Sequence, residues 1–121
     1  MAPEANLNDW CQNEHQRCKE AGWLPEGRDW LHPEEVATKI ALIHSEISEA
    51  LEAYRTDAMD DHLLHRLGIE VELADAVIRI FELCGTLGLD LDGAVREKDA
   101  YNDHRADHKL EHRTRPGGKK F

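Results

Sequence analysis

The chain has 121 residues, of which 40% are hydrophobic and 33% are charged, and its formal net charge is −10. This size and composition predict a single soluble domain over residues 1–121, and the net charge disfavours DNA or RNA as a partner, because both are polyanions. No apolar run of about 18 residues occurs and the first residues have neither a basic start nor an apolar stretch, so we expect no membrane span and no secretory signal.

The first two predicted helices are separated by a loop rich in aromatic residues. The first helix is predicted from about Leu7 to Ala21, with Gly22 at its end. Pro25 and Gly27 indicate a loop between Trp23 and Trp30. Pro33, followed by two glutamates, is typical of a helix start, and this second helix is predicted to run to about Arg55.

Two further helices are predicted in the second half of the chain. A polar break over Thr56–Asp61 precedes a third helix from about His62 to Thr86, which would contain Gly68 in its interior and which Gly85 and Gly88 would close. Asp90 can cap a fourth helix that continues past Arg105. Pro116 and the glycines after it end helical structure, so residues of about 113–121 are expected to form a flexible basic tail. No strand pattern occurs, and the predicted fold is an all-α four-helix bundle.

Two glutamates of the second helix fall on its apolar side. On a helical wheel, Glu46 and Glu49 lie inside a widened apolar arc, whereas the wet side carries Ser45, Ser48 and Glu52. The residues that form the apolar face are Val36, Ile40, Ile43, Ile47, Ala50, Leu51 and Tyr54.

The third helix is apolar around most of its circumference and carries one acidic stripe. Within that stripe Glu72 and Asp75 lie one turn apart, followed by Arg79 and Glu82. Converging carboxylates repel one another unless a cation joins them, and their hard oxygens suit Mg²⁺ or Mn²⁺. The alternative is a solvated edge of the helix in which Asp75 and Arg79 form an i,i+4 ion pair.

A third motif lies in the fourth helix, where Lys98, Asn102 and Arg105 share one face at i, i+4 and i+7. Lysine, arginine and asparagine side chains can donate to phosphate oxygens. The alternative is a solvated basic edge paired with nearby acidic residues.

With these motifs, the chain resembles the MazG-like nucleotide pyrophosphohydrolases of the all-α NTP pyrophosphatase superfamily. The resemblance rests on Glu46-x-x-Glu49, on Glu72-x-x-Asp75 and on the set Lys98, Asn102 and Arg105. It implies that the four carboxylates bind Mg²⁺ and carry out catalysis, that the fourth-helix set binds substrate, and that a nucleoside triphosphate is cleaved to the monophosphate and pyrophosphate. It also implies a bundle completed by dimerisation, as a homodimer or homotetramer.

Aromatic and basic residues outside the motifs are further substrate-binding candidates. Trp23 can stack on a nucleobase, the alternative being that Trp10, Trp23 and Trp30 pack against the bundle. Lys119 and Lys120 can close over the phosphates, or the tail can be a disordered end.

Three other classes of helical protein are alternatives for this sequence. A carboxylate-bridged di-iron bundle needs Glu-x-x-His, and a phosphohydrolase of the HD type needs a His-Asp dipeptide; the sequence contains neither. A non-enzymatic helical dimer, acting as a regulator or adaptor, also accounts for the apolar third helix, but gives no reason for Glu46 and Glu49 to point inward.

Cysteine usage predicts the compartment. Cys11, Cys18 and Cys84 are odd in number and form no C-x-x-C pair, so we expect neither a disulfide framework nor a structural zinc site. A reducing cytoplasm is the expected location.

Overall fold

The computed structural model describes residues 6–25, 28–105 and 110–120. Over these residues the secondary structure is helical, without a named strand and with one isolated bridge between Met59 and Leu67. The all-helical prediction is therefore confirmed. The chain divides into two compact units, residues 1–89 and residues 90–121. A MazG-like bundle, dimerisation and a single domain stay predictions.

The first two helices begin and end close to where the sequence predicts. Helix α1 spans Leu7–Glu20, and the Asn6 side chain caps it by accepting a hydrogen bond from Asn8 N at 2.7 Å. Helix α2 spans Pro33–Arg55 with proline in its first turn. Because Glu35 Oε1 accepts from His32 N at 2.9 Å, an otherwise unpaired N–H at the start of this helix is satisfied.

Helix α3 spans Gly68–Leu87, so the predicted start at His62 is wrong. Asp60 Oδ2 accepts from the backbone N–H groups of His62, at 3.0 Å, and Leu63, at 2.7 Å, which fixes a turn there instead of a helix. Gly68 stands at the start of α3, and its N–H donates to Ala58 O at 2.8 Å. Gly88 ends the helix with a φ of 66°, as its position in the sequence predicts.

The core of the first unit forms where α3 packs against α1 on one side and α2 on the other. Gly85 permits the close approach to α1, because a Cβ there would overlap the backbone carbonyl oxygen of Cys11. The buried apolar residues of this core are Cys11, Cys18, Leu24, Ala50, Ala76, Leu83 and Cys84. All three cysteines are free thiols.

The apolar face predicted for α2 is only partly covered. Ala50 is buried, but Ile47 is 49% exposed, Leu51 62% and Tyr54 66%. On α3, Leu73 and Val77 are also exposed, at 43% and 44%. The single chain therefore leaves part of the apolar face of α2 and part of the α3 surface uncovered, because neither helix has a neighbour over these residues within the first unit.

The second unit consists of α4, Leu91–His104, and a single turn, α5, Leu110–Arg113. Asp90 caps α4 as predicted, since its Oδ1 accepts from Gly93 N at 2.9 Å. Arg105 has extended backbone angles, so the prediction that α4 continues past it is wrong. Among the residues described, no helix has both the length and the hydropathy needed to cross a membrane. The predicted tail is described as far as Lys120, and Phe121 lies outside the described residues.

Candidate metal centre

Glu46 is the central side chain of the site and lies between α2 and α3. The residue is 8% exposed, and its Oε1 accepts a hydrogen bond from Arg79 Nε at 2.9 Å. Glu46 therefore points inward, as the helical wheel predicts. The guanidinium that accompanies it comes from the neighbouring helix.

Three carboxylates converge at this position. Glu46, Glu72 and Asp75 each offer an oxygen, and these oxygens lie within 4.8 Å of one another. Glu49 is exposed, yet it is close enough to influence the pKa values of Glu46 and Glu72. All four predicted acidic residues thus belong to one neighbourhood, the acidic cluster.

The pKa values in the acidic cluster reflect crowding of like charge. Burial, then hydrogen bonding and repulsion from Glu49 and Glu46, raise the pKa of Glu72 to about 7. Burial and the charge of Glu46 also raise the pKa of Asp75. Burial opposes ionisation of Glu46 as well, but the hydrogen bond from Arg79 and its positive charge help to outweigh burial, and the pKa of that carboxyl is lowered. The positive charge of Arg79 therefore does not balance the negative charges of the acidic cluster.

The donor set fits a hard divalent cation. Magnesium binds oxygen at about 2.0–2.1 Å, so two oxygens on opposite sides of the ion lie about 4.2 Å apart. The Glu46, Glu72 and Asp75 oxygens lie within 4.8 Å of one another, a limit slightly above that separation, so a small inward movement of the side chains would let all three contact one ion. Carboxylates alone, without histidine or thiolate, favour Mg²⁺ or Mn²⁺ over zinc.

The alternative prediction, an ion pair between Asp75 and Arg79, is wrong. Arg79 donates to Glu46 across the helix interface instead. Glu82, the last residue of the stripe, accepts from Lys39 Nζ at 2.7 Å, again across the interface with α2. The acidic stripe of α3 therefore faces α2 and is not a solvated edge.

The predicted phosphate-binding set lies in the second unit, around Tyr101. Arg105 Nη1 donates to Asn102 Oδ1 at 3.4 Å. Lys98 Nζ lies 4.7 Å from the centroid of the Tyr101 ring, and the Arg105 guanidinium carbon lies 5.8 Å from it. The aromatic ring thus gathers two cations on one face of α4, a role that the sequence analysis missed. The signal was present, since residues 98, 101 and 105 share one helical face.

Trp23 lines a pocket of about 290 Å³ in the first unit. The indole is 74% exposed, which does not support the alternative that Trp23 packs against the bundle. Trp10 is 44% exposed, and its ring packs on Phe81 of α3 with centroids 5.8 Å apart. The other residues around the Trp23 pocket are Pro25, Leu31, Glu34, Glu35, Thr38, Lys39 and Leu42.

The remaining predicted residues are Lys119 and Lys120, both exposed at the end of the second unit. The ion pairs of two cations of the first unit were not assigned from sequence: Arg79 of α3 contacts Glu46 of α2, and Lys39 of α2 contacts Glu82 of α3. Helical spacing relates residues within one helix, so it carries no signal for these pairs between helices.

Comparisons of the chain with protein-family models, with curated proteins and with solved structures found no match.

Proposed function

We propose that the protein is a magnesium-dependent nucleoside triphosphate pyrophosphohydrolase, which uses water to cleave ribo- or deoxyribonucleoside triphosphates to the monophosphate and pyrophosphate. The observation that carries the proposal is the convergence of Glu46, Glu72 and Asp75 oxygens within 4.8 Å of one another, beside the Arg79 guanidinium. A cluster of like charges at an interface between helices is costly without a cation.

Glu46, Glu49, Glu72 and Asp75 are the residues that would hold Mg²⁺, or Mn²⁺ in its place. A bound ion supplies neutralisation of phosphate charge and lowers the pKa of water. One of these four carboxylates would accept the proton of the attacking water. Attack at the α-phosphorus releases pyrophosphate.

Substrate contacts are assigned by side-chain chemistry. Lys98 and Arg105 are cations for the phosphate oxygens, and Asn102, hydrogen-bonded to Arg105, can donate to phosphate or sugar. Lys119 and Lys120 add positive charge for the leaving pyrophosphate. Trp23, exposed at the rim of a pocket, offers an aromatic face for the nucleobase.

The active assembly is proposed to be a homodimer or homotetramer in the cytoplasm, where the enzyme would remove unwanted nucleotides from the pool. Exposed Ile47, Leu51 and Tyr54 on α2 support association, since solvent-facing apolar surface of this kind is typical of an interface.

The deciding experiment is a pyrophosphate-release screen over the canonical NTPs and dNTPs, with Mg²⁺ and with EDTA. We expect Mg²⁺-dependent release for at least one nucleotide and loss of release in Glu49→Gln and Asp75→Asn. Wild-type rates in both variants would refute the assignment of the acidic cluster.

The second candidate, a non-enzymatic helical dimer that acts as a regulator or adaptor, is favoured by the same exposed apolar residues of α2. It predicts no cation at the acidic cluster. Thermal melting with increasing Mg²⁺ separates the two, because an ion that binds only the folded state raises the melting temperature.

A further inference from the structure

Arg79 is the cation in direct contact with the acidic cluster, and its contact uses only part of its guanidinium. Nε donates to Glu46 at 2.9 Å. Within residues 6–25, 28–105 and 110–120, this is the one hydrogen bond made by the Arg79 side chain, which is 39% exposed. The two terminal amino groups are therefore available to another acceptor.

The anchoring bond also limits where those amino groups can lie. A guanidinium is planar and rigid, so fixing Nε on Glu46 holds both terminal nitrogens beside the same cluster. Glu46 keeps oxygen capacity for a cation, because a carboxylate offers about four acceptor positions and Arg79 occupies one. An ion and Arg79 can thus share Glu46.

We propose that Arg79 is a phosphate-binding residue, held through Nε by Glu46 and donating from its terminal amino groups to an oxygen of the triphosphate bound at the acidic cluster. This inference rests on the proposed function and deepens it. One divalent ion does not neutralise four carboxylates, so the cluster would still repel a triphosphate. Arginine is the side chain whose planar set of N–H donors matches phosphate oxygens.

Lys39 is not suited to this role. Its Nζ is engaged by Glu82 Oε1 at 2.7 Å, and Glu82 lies about two turns from Asp75 and about three from Glu72 along α3. Arg79 lies one turn from Asp75 on the same helix, and its charge acts on the Asp75 carboxyl. Of these two cations, Arg79 is therefore the one that lies beside the acidic cluster.

The test uses two binding measurements that do not depend on turnover. Mn²⁺ binding is followed by electron paramagnetic resonance of the free ion, and binding of inorganic triphosphate is followed by calorimetry with Mn²⁺ present. Arg79→Gln and Arg79→Lys are compared with the wild type, and circular dichroism verifies folding. Arg55→Gln is the matched control, because it removes an equal charge from an exposed pair on α2.

We expect Arg79→Gln to bind Mn²⁺ at least as tightly as the wild type, but to bind triphosphate about 10-fold or more weakly, as loss of a charged hydrogen bond predicts. Arg79→Lys should recover part of the affinity, and Arg55→Gln should behave as wild type. Wild-type triphosphate affinity in Arg79→Gln would overturn the inference alone. Loss of Mn²⁺ binding in Arg79→Gln would also overturn it, in favour of a purely structural bond. Absence of Mn²⁺ binding in the wild type would overturn the proposed function and this inference together.

Discussion

Lys39 Nζ lies 2.7 Å from Glu82 Oε1, and this ion pair joins α2 to α3 with both side chains about three-quarters buried, at 24% and 23% exposure. Cys18 of α1 donates its thiol to the same oxygen at 3.4 Å. Burial and the Glu82 charge raise the pKa of Cys18 to about 11, so the thiol stays protonated and able to donate. Glu82 thus connects all three helices of the first unit.

Glu82→Gln should therefore lower the free energy of unfolding by about 1–3 kcal/mol, because it leaves the partly buried Lys39 ammonium without its carboxylate. Urea denaturation measures the loss. Glu52→Gln is the control, since the exposed Glu52–Arg55 pair should contribute no more than about 1 kcal/mol. Equal losses in the two variants would contradict the role assigned to Glu82.

Glu72→Gln should raise the stability of the metal-free protein and lower its catalytic activity. Removing one charge from the crowded cluster is expected to raise the melting temperature in EDTA, since Glu72 is held at a pKa of about 7 by burial and by its neighbours. The same variant should lose the stabilisation by Mg²⁺ and at least about 100-fold of the turnover. A melting temperature below that of the wild type in EDTA would contradict the repulsion argument.

The Glu35 carboxylate should make stability depend on acid pH. Hydrogen bonds from Arg28, at 2.9 and 3.0 Å, and from His32 N lower the pKa of Glu35 to about 2. A lowered pKa contributes stability that is full above the unfolded value of about 4.3 and is lost as the pH falls towards 2.

Wild-type protein should therefore melt higher than Glu35→Gln at pH 7, and the gap should close between about pH 4.3 and 2. Scanning calorimetry across this range measures it. Glu34→Gln, which removes an equal charge one residue earlier, should show no such closing gap. A gap for Glu35→Gln that stays constant down to pH 2 would be inconsistent with the Arg28 interaction.

The exposed apolar residues of α2 should set the oligomeric state. Leu51→Glu and Tyr54→Glu each place a charge on the uncovered surface and should shift a dimer or tetramer to monomers in analytical ultracentrifugation. Ser48→Glu adds the same charge on the side of α2 predicted to face water and should leave the assembly intact. A wild-type protein that sediments as a monomer would rule out association through this surface.

Trp23→Ala should weaken nucleotide binding if the indole stacks on the base. Stacking contributes about 1–3 kcal/mol per base, so KM for the preferred nucleotide should rise about 5- to 150-fold. Binding of inorganic triphosphate, which has no base, should not change. An unaltered KM for every nucleotide would exclude the stacking role.

Local signals were enough to predict most helix ends. Pro33 and the glutamates after it gave the start of α2, and Gly88 and Asp90 gave the end of α3 and the cap of α4. The start of α3 was misplaced because the Asp60 side chain binds the backbone of residues 62–63 and competes with helix formation there.

The sequence by itself determined that the chain is helical and that two acidic pairs, Glu46 with Glu49 and Glu72 with Asp75, each lie one turn apart on one side of a helix, because the 3.6-residue period fixes which side chains share a face. Only the tertiary structure decided which faces meet. Arg79 pairs with Glu46 and Lys39 with Glu82 because α2 and α3 pack at one particular rotation. That rotation also leaves Glu49, Leu51 and Tyr54 exposed, and no pattern within a single helix specifies it, since it depends on the packing of both helices at once.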